Sequence, residues 1–180
     1  MKNWKTVKSK TAFKCKYMKI IEEDFMVPSG KKYKYYILKR NDYVIVLAKE
    51  KNYLYLIKQY RYTTKSKLLQ VVAGAIEKGE TPLQAAKKEL KEEAGIKAKK
   101  FKKLGWFYAY YGCSNQRAHI FLAEDLELGK QKPDELEKEG GIKVVKLKIS
   151  EVKRMIKSGK INDVDTISAF GLFMLKCKDI

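Results

Sequence analysis

Cysteine, proline, histidine, arginine and long apolar runs are all scarce in this sequence, and each scarcity closes off a class of protein. Three cysteines, Cys15, Cys113 and Cys177, with no CxxC or His-linked spacing, supply neither a disulfide framework nor a zinc knuckle. Their odd number fits reduced thiols in a cytoplasm. Three prolines and 11 glycines among 180 residues are too few for a collagen-like or disordered chain. The longest apolar stretch, 167–175, is far short of the roughly 18 residues needed to cross a bilayer. The lysine-rich opening carries no signal-peptide core, so a soluble cytoplasmic protein without a membrane span is expected.

What the chain has in abundance is lysine. Basic side chains number 40 against 21 acidic ones, a formal charge of +19, which attracts polyanions in general. Only four of the 40 are arginines (40, 61, 117 and 154). Recognition of phosphates and bases leans on the bidentate arginine fork, so nucleic acid is not the favoured partner and most lysines read as a solvated surface. One segment reverses the trend. From Gly74 to Ile96 five glutamates (77, 80, 89, 92 and 93) face four lysines (78, 87, 88 and 91).

Short runs rich in Tyr, Val, Ile and Leu at 33–38, 43–48, 52–61 and 69–73 read as hairpin-linked strands, and 101–111, 118–122 and 142–147 as further strands. Ser150 to Lys157 and Asp163 to Lys176 carry helical patterns, the second capped by Asp163. The class is α+β with a mixed sheet. Boundary signals at Pro28-Ser29-Gly30 and Arg40-Asn41-Asp42 set off a small basic N-terminal β-rich extension, 1–40, from a main domain, 41–180. The 12% aromatic and 45% apolar content is enough for one principal core.

Between them, Thr81-Pro82-Leu83-Gln84 is a helix start with a Thr cap, Pro at the first position and Gln three residues after the cap. Gly95 is the stop. At about 100° per residue Leu83, Ala86, Leu90 and Ala94 form a core-facing stripe, while Glu89, Glu92 and Glu93 gather on another face. Like charges at that spacing repel unless a cation intervenes, and oxygen-only ligands suit Mg²⁺, with Mn²⁺ as the alternative.

Gly74, five residues, Glu80, seven residues, then Lys88-Glu89-Leu90-Lys91-Glu92-Glu93-Ala94-Gly95-Ile96 resembles the Nudix box, G-x5-E-x7-REUxEExGU with U aliphatic. Only its Arg is replaced, by Lys88. At this chain's Gly and Glu frequencies a chance match is on the order of one in a million. The run Leu56 to Arg61, the stretch Leu69 to Gly74 and the closing segment with Asp163, Asp165, Thr166 and Ile167 are similar to the ADP-ribose pyrophosphatase and nucleoside-diphosphate-sugar hydrolase group.

The resemblance implies a Nudix-type α/β/α sandwich and Mg²⁺-dependent hydrolysis of a pyrophosphate bond in a small nucleotide substrate. Glu89 and Glu93 would be the principal metal ligands, Glu92 a further ligand or water-orienting base, and the Ala73 carbonyl an additional ligand. Glu80 would brace the Gly74 loop by pairing with Lys88. Arg61 would contact substrate phosphate, Trp4 would stack on the base, and the N-terminal extension would pair with a second subunit in a homodimer. In the loop after the box Gln116 stands where that group carries a Glu, and Gln cannot take a proton. Glu92, Glu124 or Asp125 would then serve as base, or the substrate would be a different nucleotide, such as a dinucleoside polyphosphate, an oxidised nucleoside triphosphate or an RNA 5′ end. A nucleotide-sensing or nucleic-acid-binding module with weakened turnover is the reading from another class. His119, mid-strand, reads as a half-buried ring.

Overall fold

A computed structural model describes residues 4–177. Positions 1–3 and 178–180, which the sequence-based domain ranges include, lie outside the described residues. The chain folds as two compact units, one of residues 4–42 with 107–118, the other of 43–106 with 119–177.

The first unit is built on an antiparallel three-stranded sheet, β1 (Lys5–Lys14), β2 (Lys19–Met26) and β3 (Lys32–Lys39), in the order β1-β2-β3. Gly30 makes the β2–β3 turn with φ at 83°, a conformation that costs glycine nothing. The middle strand carries Glu22-Glu23-Asp24, and lysines on both neighbours meet it. Lys10 of β1 lies 3.4 Å from Glu22, and Lys34 of β3 bonds Glu22 and sits 3.2 Å from Asp24. An aromatic row runs along the sheet, with Trp4 stacked on Phe25 at 5.2 Å and Phe25 on Tyr33 at 5.8 Å. The 107–118 stretch joins this unit through the Tyr35 hydroxyl, which donates to the Gly112 carbonyl, and the Ser114 hydroxyl, which donates to the Leu38 carbonyl at 2.7 Å.

The second unit centres on a seven-stranded sheet containing β4 (Tyr43–Glu50), β5 (Tyr53–Arg61), β6 (Ser66–Gln70), β7 (Val72–Ala75), β8 (Ile96–Tyr108), β9 (Arg117–Leu128) and β10 (Lys143–Lys148). Its main path runs β10-β5-β4-β9-β8. The four helices are α1 (Pro82–Ala94), α2 (Glu135–Glu139), α3 (Ile149–Lys157) and α4 (Val164–Lys176). β4 reads Val-Ile-Val-Leu-Ala over 44–48, and all five are buried. A strand apolar on both faces needs cover on both. Val44, Val46 and Ala48 join Leu90, Ala86 and Ala94 of α1 in one core cluster. Ile45 and Leu47 project from the opposite face, and α4 packs against β4 as well.

β4 and β5 stay paired only from Ala48–Glu50 to Tyr53–Tyr55 and then diverge. The chain from Ser66 to Ala75 fills the gap, pairing with β5 as β6 and with β4 as β7. The change of partner falls at Val71.

Three elements differ from the sequence-based expectation, the first being the single strand expected at 69–73, which is divided between β6 and β7. The lysine cluster 97–103 is strand, because β8 begins at Ile96. It forms an edge of the sheet, where exposed lysines discourage pairing with another chain, and Lys99 and Lys100 pair with Glu127 and Asp125. The short helix α2 was not expected at all. Pro133 and the charged run that follows hide it, although Asp134 and Glu137 form a complete capping box.

Candidate active site

The site begins with the caps of α1. The Thr81 hydroxyl accepts the Gln84 N–H at 3.3 Å, and the Gln84 side chain takes the Thr81 N–H at 2.8 Å. At the other end Gly95 adopts φ 67°, and its N–H bonds the Lys91 carbonyl. Gly95 is constrained twice, since a Cβ there would lie 2.7 Å from both the Gly129 carbonyl and the Gln131 N–H.

Burial along α1 departs from the apolar-stripe expectation. Leu83 is 39% exposed, whereas Ala85, Ala86, Leu90, Glu93 and Ala94 are buried. At about 100° per residue this face centres close to Ala86 and Glu93, with Glu89 on its flank and Glu92 turned outward. The buried side widens to take in Glu93 next to Ala86, while Leu83, at nearly the angle of Leu90 and Ala94, is exposed in the first turn. The three glutamates span about 100° of the helix and differ in depth: Glu92 lies on the surface, Glu89 is half-buried and Glu93 is 3% exposed.

Both inward carboxylates meet the backbone of β7. Glu93 Oε2 accepts the Ala73 N–H at 3.2 Å. The Glu89 carboxylate lies over the Cα of Gly74, where any Cβ would overlap it, so the glycine that opens the box is required by close approach. Lys88 stands 3.2 Å from Glu80 and 3.3 Å from Glu89, and Glu80 also accepts the Glu77 N–H at 3.0 Å. Partial burial works against the Lys88 charge, but Glu80 and Glu89 outweigh it and hold the ammonium above its usual range.

A fourth acid completes the group. The segment after β9 crosses the C-terminal end of α1. Gly129 donates to the Gly95 carbonyl at 2.7 Å, Lys132 N–H to the Glu92 carbonyl at 2.9 Å, and the Gln131 amide to the Glu93 carbonyl. It then forms α2, whose end is tied to β5 by the Tyr60 N–H donating to the Gly140 carbonyl at 3.3 Å. This route sets Glu137 beside Glu93. Burial pushes the Glu93 carboxyl well above its usual range, Glu137 adds to the rise, and the Ala73 N–H opposes it only in part. Glu89 is raised by burial too, against the pull of Lys88. Of the three acids expected from the sequence as substitutes for Gln116, two pair with lysines, Glu124 with Lys49 at 3.1 Å and Asp125 with Lys100 at 2.8 Å, and Glu92 lies exposed on α1. The signal for Glu137 was present in the capping box, but sequence distance concealed its neighbour.

Of the other singled-out residues, Arg61 ends β5 half-buried, its Nε donating to Gln70 Oε1 at 3.0 Å. Trp4 and Gln116 belong to the first unit. Trp4 is 68% exposed beyond its stack on Phe25. Gln116 is buried, and its amide donates to the Asn41 carbonyl. His119 is half-buried in β9.

Carboxylate oxygens converging on a strand backbone suit a hard divalent cation. Among the described residues the acids do not close a three-ligand cage by themselves. Mg²⁺ does not require one, since it is commonly held by one or two carboxylates with waters and phosphate oxygens. Two inward acids lifted mainly by burial, with neighbouring carboxylates adding to the rise, gain most from such a counter-charge.

The NUDIX domain family model matches residues 38–165. The chain belongs to the Nudix family. An ADP-ribose pyrophosphatase of Bacillus subtilis (strain 168) is 32% identical over 96% of this chain and 93% of its own length. A methanol dehydrogenase activator of Bacillus methanolicus is 27% identical over the same shares. A GDP-mannose pyrophosphatase of Citrobacter koseri is 27% identical over 69% of this chain and 68% of its own. Among solved structures, an ADP compounds hydrolase superposes with a TM-score of 0.88 at 22% identity, over 98% of this chain and 95% of the other. The α+β Nudix fold with its mixed sheet is thus shared along the described length. No helix among the described residues is long and apolar enough to cross a membrane.

Proposed function

We propose that this Nudix chain hydrolyses the pyrophosphate linkage of ADP-ribose or a related nucleoside-diphosphate sugar, giving a nucleoside monophosphate and a sugar phosphate. The observation that carries the reading is the convergence of Glu89 and Glu93 on the Ala73–Gly74 step of β7, with Glu137 beside Glu93. Similarity to the ADP-ribose pyrophosphatase covers nearly the whole chain, while similarity to the GDP-mannose enzyme covers 69%. ADP-ribose is therefore the first substrate to test.

When bound, Mg²⁺ supplies charge neutralisation at the pyrophosphate oxygens and activation of a water for in-line attack. The chain's own residues do the rest. Glu89, Glu93 and the Ala73 carbonyl would hold the cation, with Glu92 reaching in from the surface side. Lys88 keeps Glu89 and Glu80 in register with the Gly74 loop. Gln70 occupies Arg61 Nε and so aims the remaining guanidinium donors, which suit a phosphate. Glu137 faces the ligand acids from another element and is placed to accept the proton of the attacking water.

The chain should turn over ADP-ribose in Mg²⁺ or Mn²⁺, with products resolved by ion-exchange chromatography, against GDP-mannose, diadenosine polyphosphates and 5′-triphosphorylated RNA. Glu137→Gln should lower kcat by about 10²- to 10³-fold while leaving Mn²⁺ affinity nearly intact. Turnover of none of the four by the wild type would sink the reading. The exposed aromatics of the first unit, Trp4, Phe13, Tyr33 and Tyr35, support a homodimer formed through that sheet, and sedimentation that gives a monomer would remove this part. The free thiols, Cys15 and Cys113 exposed and Cys177 half-buried, suit a cytoplasm.

A further inference from the structure

The partner switch at Val71 leaves a local problem. Gln70 is the last residue registered with β5, opposite Ile57, and Val72 the first registered with β4, opposite Val46. Val71 lies between them, 1% exposed, so its N–H belongs to neither ladder. A buried orphan of this kind is rarely tolerated. The Thr166 hydroxyl accepts it at 3.0 Å.

Thr166 sits in the first turn of α4 and is fully buried. Its own N–H is fixed by Asp163 Oδ1 at 2.8 Å, which holds the turn and with it the hydroxyl. The adjacent Asp165 makes a second contact, accepting the Tyr43 hydroxyl at 2.7 Å. Tyr43 is the register partner of Ala75. One helical turn therefore grips the chain at Val71 directly and opposite Ala75 through Tyr43. Between those two points lie Ala73, whose N–H bonds Glu93, and Gly74, against which Glu89 lies.

We propose that the first turn of α4 is a positioning clamp for the Ala73–Gly74 step of β7, and that Thr166 acts through Val71 to hold that strand in register with Glu89 and Glu93. The proposal rests on the reading of this strand and these acids as the metal and pyrophosphate site. Thr166 touches neither acid, so it is a positioning residue. Its leverage comes from geometry, because displacement by about 1 Å in a reacting assembly can cost roughly a hundredfold in rate.

The test compares Thr166→Val, which keeps the shape and removes the acceptor, with Thr166→Ser, which restores it. Three quantities are measured: Mn²⁺ affinity by electron paramagnetic resonance, kcat and KM for ADP-ribose, and thermal stability. Val152→Ala in α3, another fully buried site, is the control for stability loss alone. Thr166→Val should weaken Mn²⁺ binding by about fivefold or more and lower kcat by about tenfold or more with KM changed less, while Thr166→Ser stays within about twofold. Val152→Ala should melt earlier with Mn²⁺ affinity unchanged. Loss of melting temperature in Thr166→Val with wild-type Mn²⁺ affinity and kcat would overturn the clamp. Should Thr166→Val fail to fold, Tyr43→Phe removes the second grip alone and should weaken Mn²⁺ by about twofold to threefold; unchanged affinity there would equally overturn it. A wild type that binds Mn²⁺ but hydrolyses no substrate would remove the proposed activity, and the Mn²⁺ titrations would still decide the clamp.

Discussion

The two units each carry a run of adjacent acids, and they treat the same chemistry in opposite ways. On β2, Glu22 lies on an open sheet between lysines of both neighbouring strands, and the Lys34 bond, helped by Lys10, draws its carboxyl below the usual range. On α1, Glu89 and Glu93 are turned inward and raised, mainly by burial. The β2 acids are satisfied where they stand. Those of α1 stay raised despite the single nearby lysine, which is what the proposed cation site requires.

The largest expected effect tests this contrast directly. Glu93→Gln should lower turnover by at least about a thousandfold, measured as kcat/KM for ADP-ribose, with the circular dichroism spectrum unchanged. Gly74→Ala comes next. Its Cβ must displace the Glu89 carboxylate, and a loss of about a hundredfold in kcat is expected, with weaker Mg²⁺ activation.

A smaller effect is read in stability. Because the folded-state carboxyls of Glu89 and Glu93 are raised, the folded protein binds more protons than the unfolded chain between the ordinary and the raised values. Metal-free stability should therefore fall as pH rises through that window. Glu93→Gln should remove part of this fall and melt about 2–4 °C above the metal-free wild type at neutral pH, and saturating Mg²⁺ should reverse the order by stabilising only the wild type. A wild type whose metal-free melting temperature climbs steadily with pH over that window would break the comparison. The smallest effect belongs to β2. Glu22→Gln weakens two ion pairs on the β1–β3 sheet, with Lys10 and Lys34, and turnover of ADP-ribose should stay within about twofold of wild type.

Much of the site's local frame was legible because its determinants lie close together in the chain. Thr81, Pro82, Gln84 and Gly95 delimit α1 through contacts spanning three or four residues, and the Gly74-to-Ile96 spacing identified the acids. The burial of Glu93 was not legible. Counting apolar residues placed Glu93 outside, and the structure buries it next to Ala86, where it finds the Ala73 N–H, a partner twenty positions away. Glu137 escaped for the same reason: nothing near 137 in the sequence indicates that the 129–132 segment will lie along the end of α1. The partner switch at Val71 is equally silent, since an apolar residue between two strand runs looks like any other.

By itself the sequence determined the elements whose free energy is local: a doubly capped helix, a strand apolar on both faces, a glycine-to-glutamate spacing that few chains share by chance. The tertiary structure alone decided which carboxylates are desolvated, which acid joins them and which hydroxyl takes the stray N–H. The cost of burying a charge or an unpaired donor depends on everything that surrounds it in space, and in this protein those surroundings arrive from β7, α2 and α4, far apart along the chain.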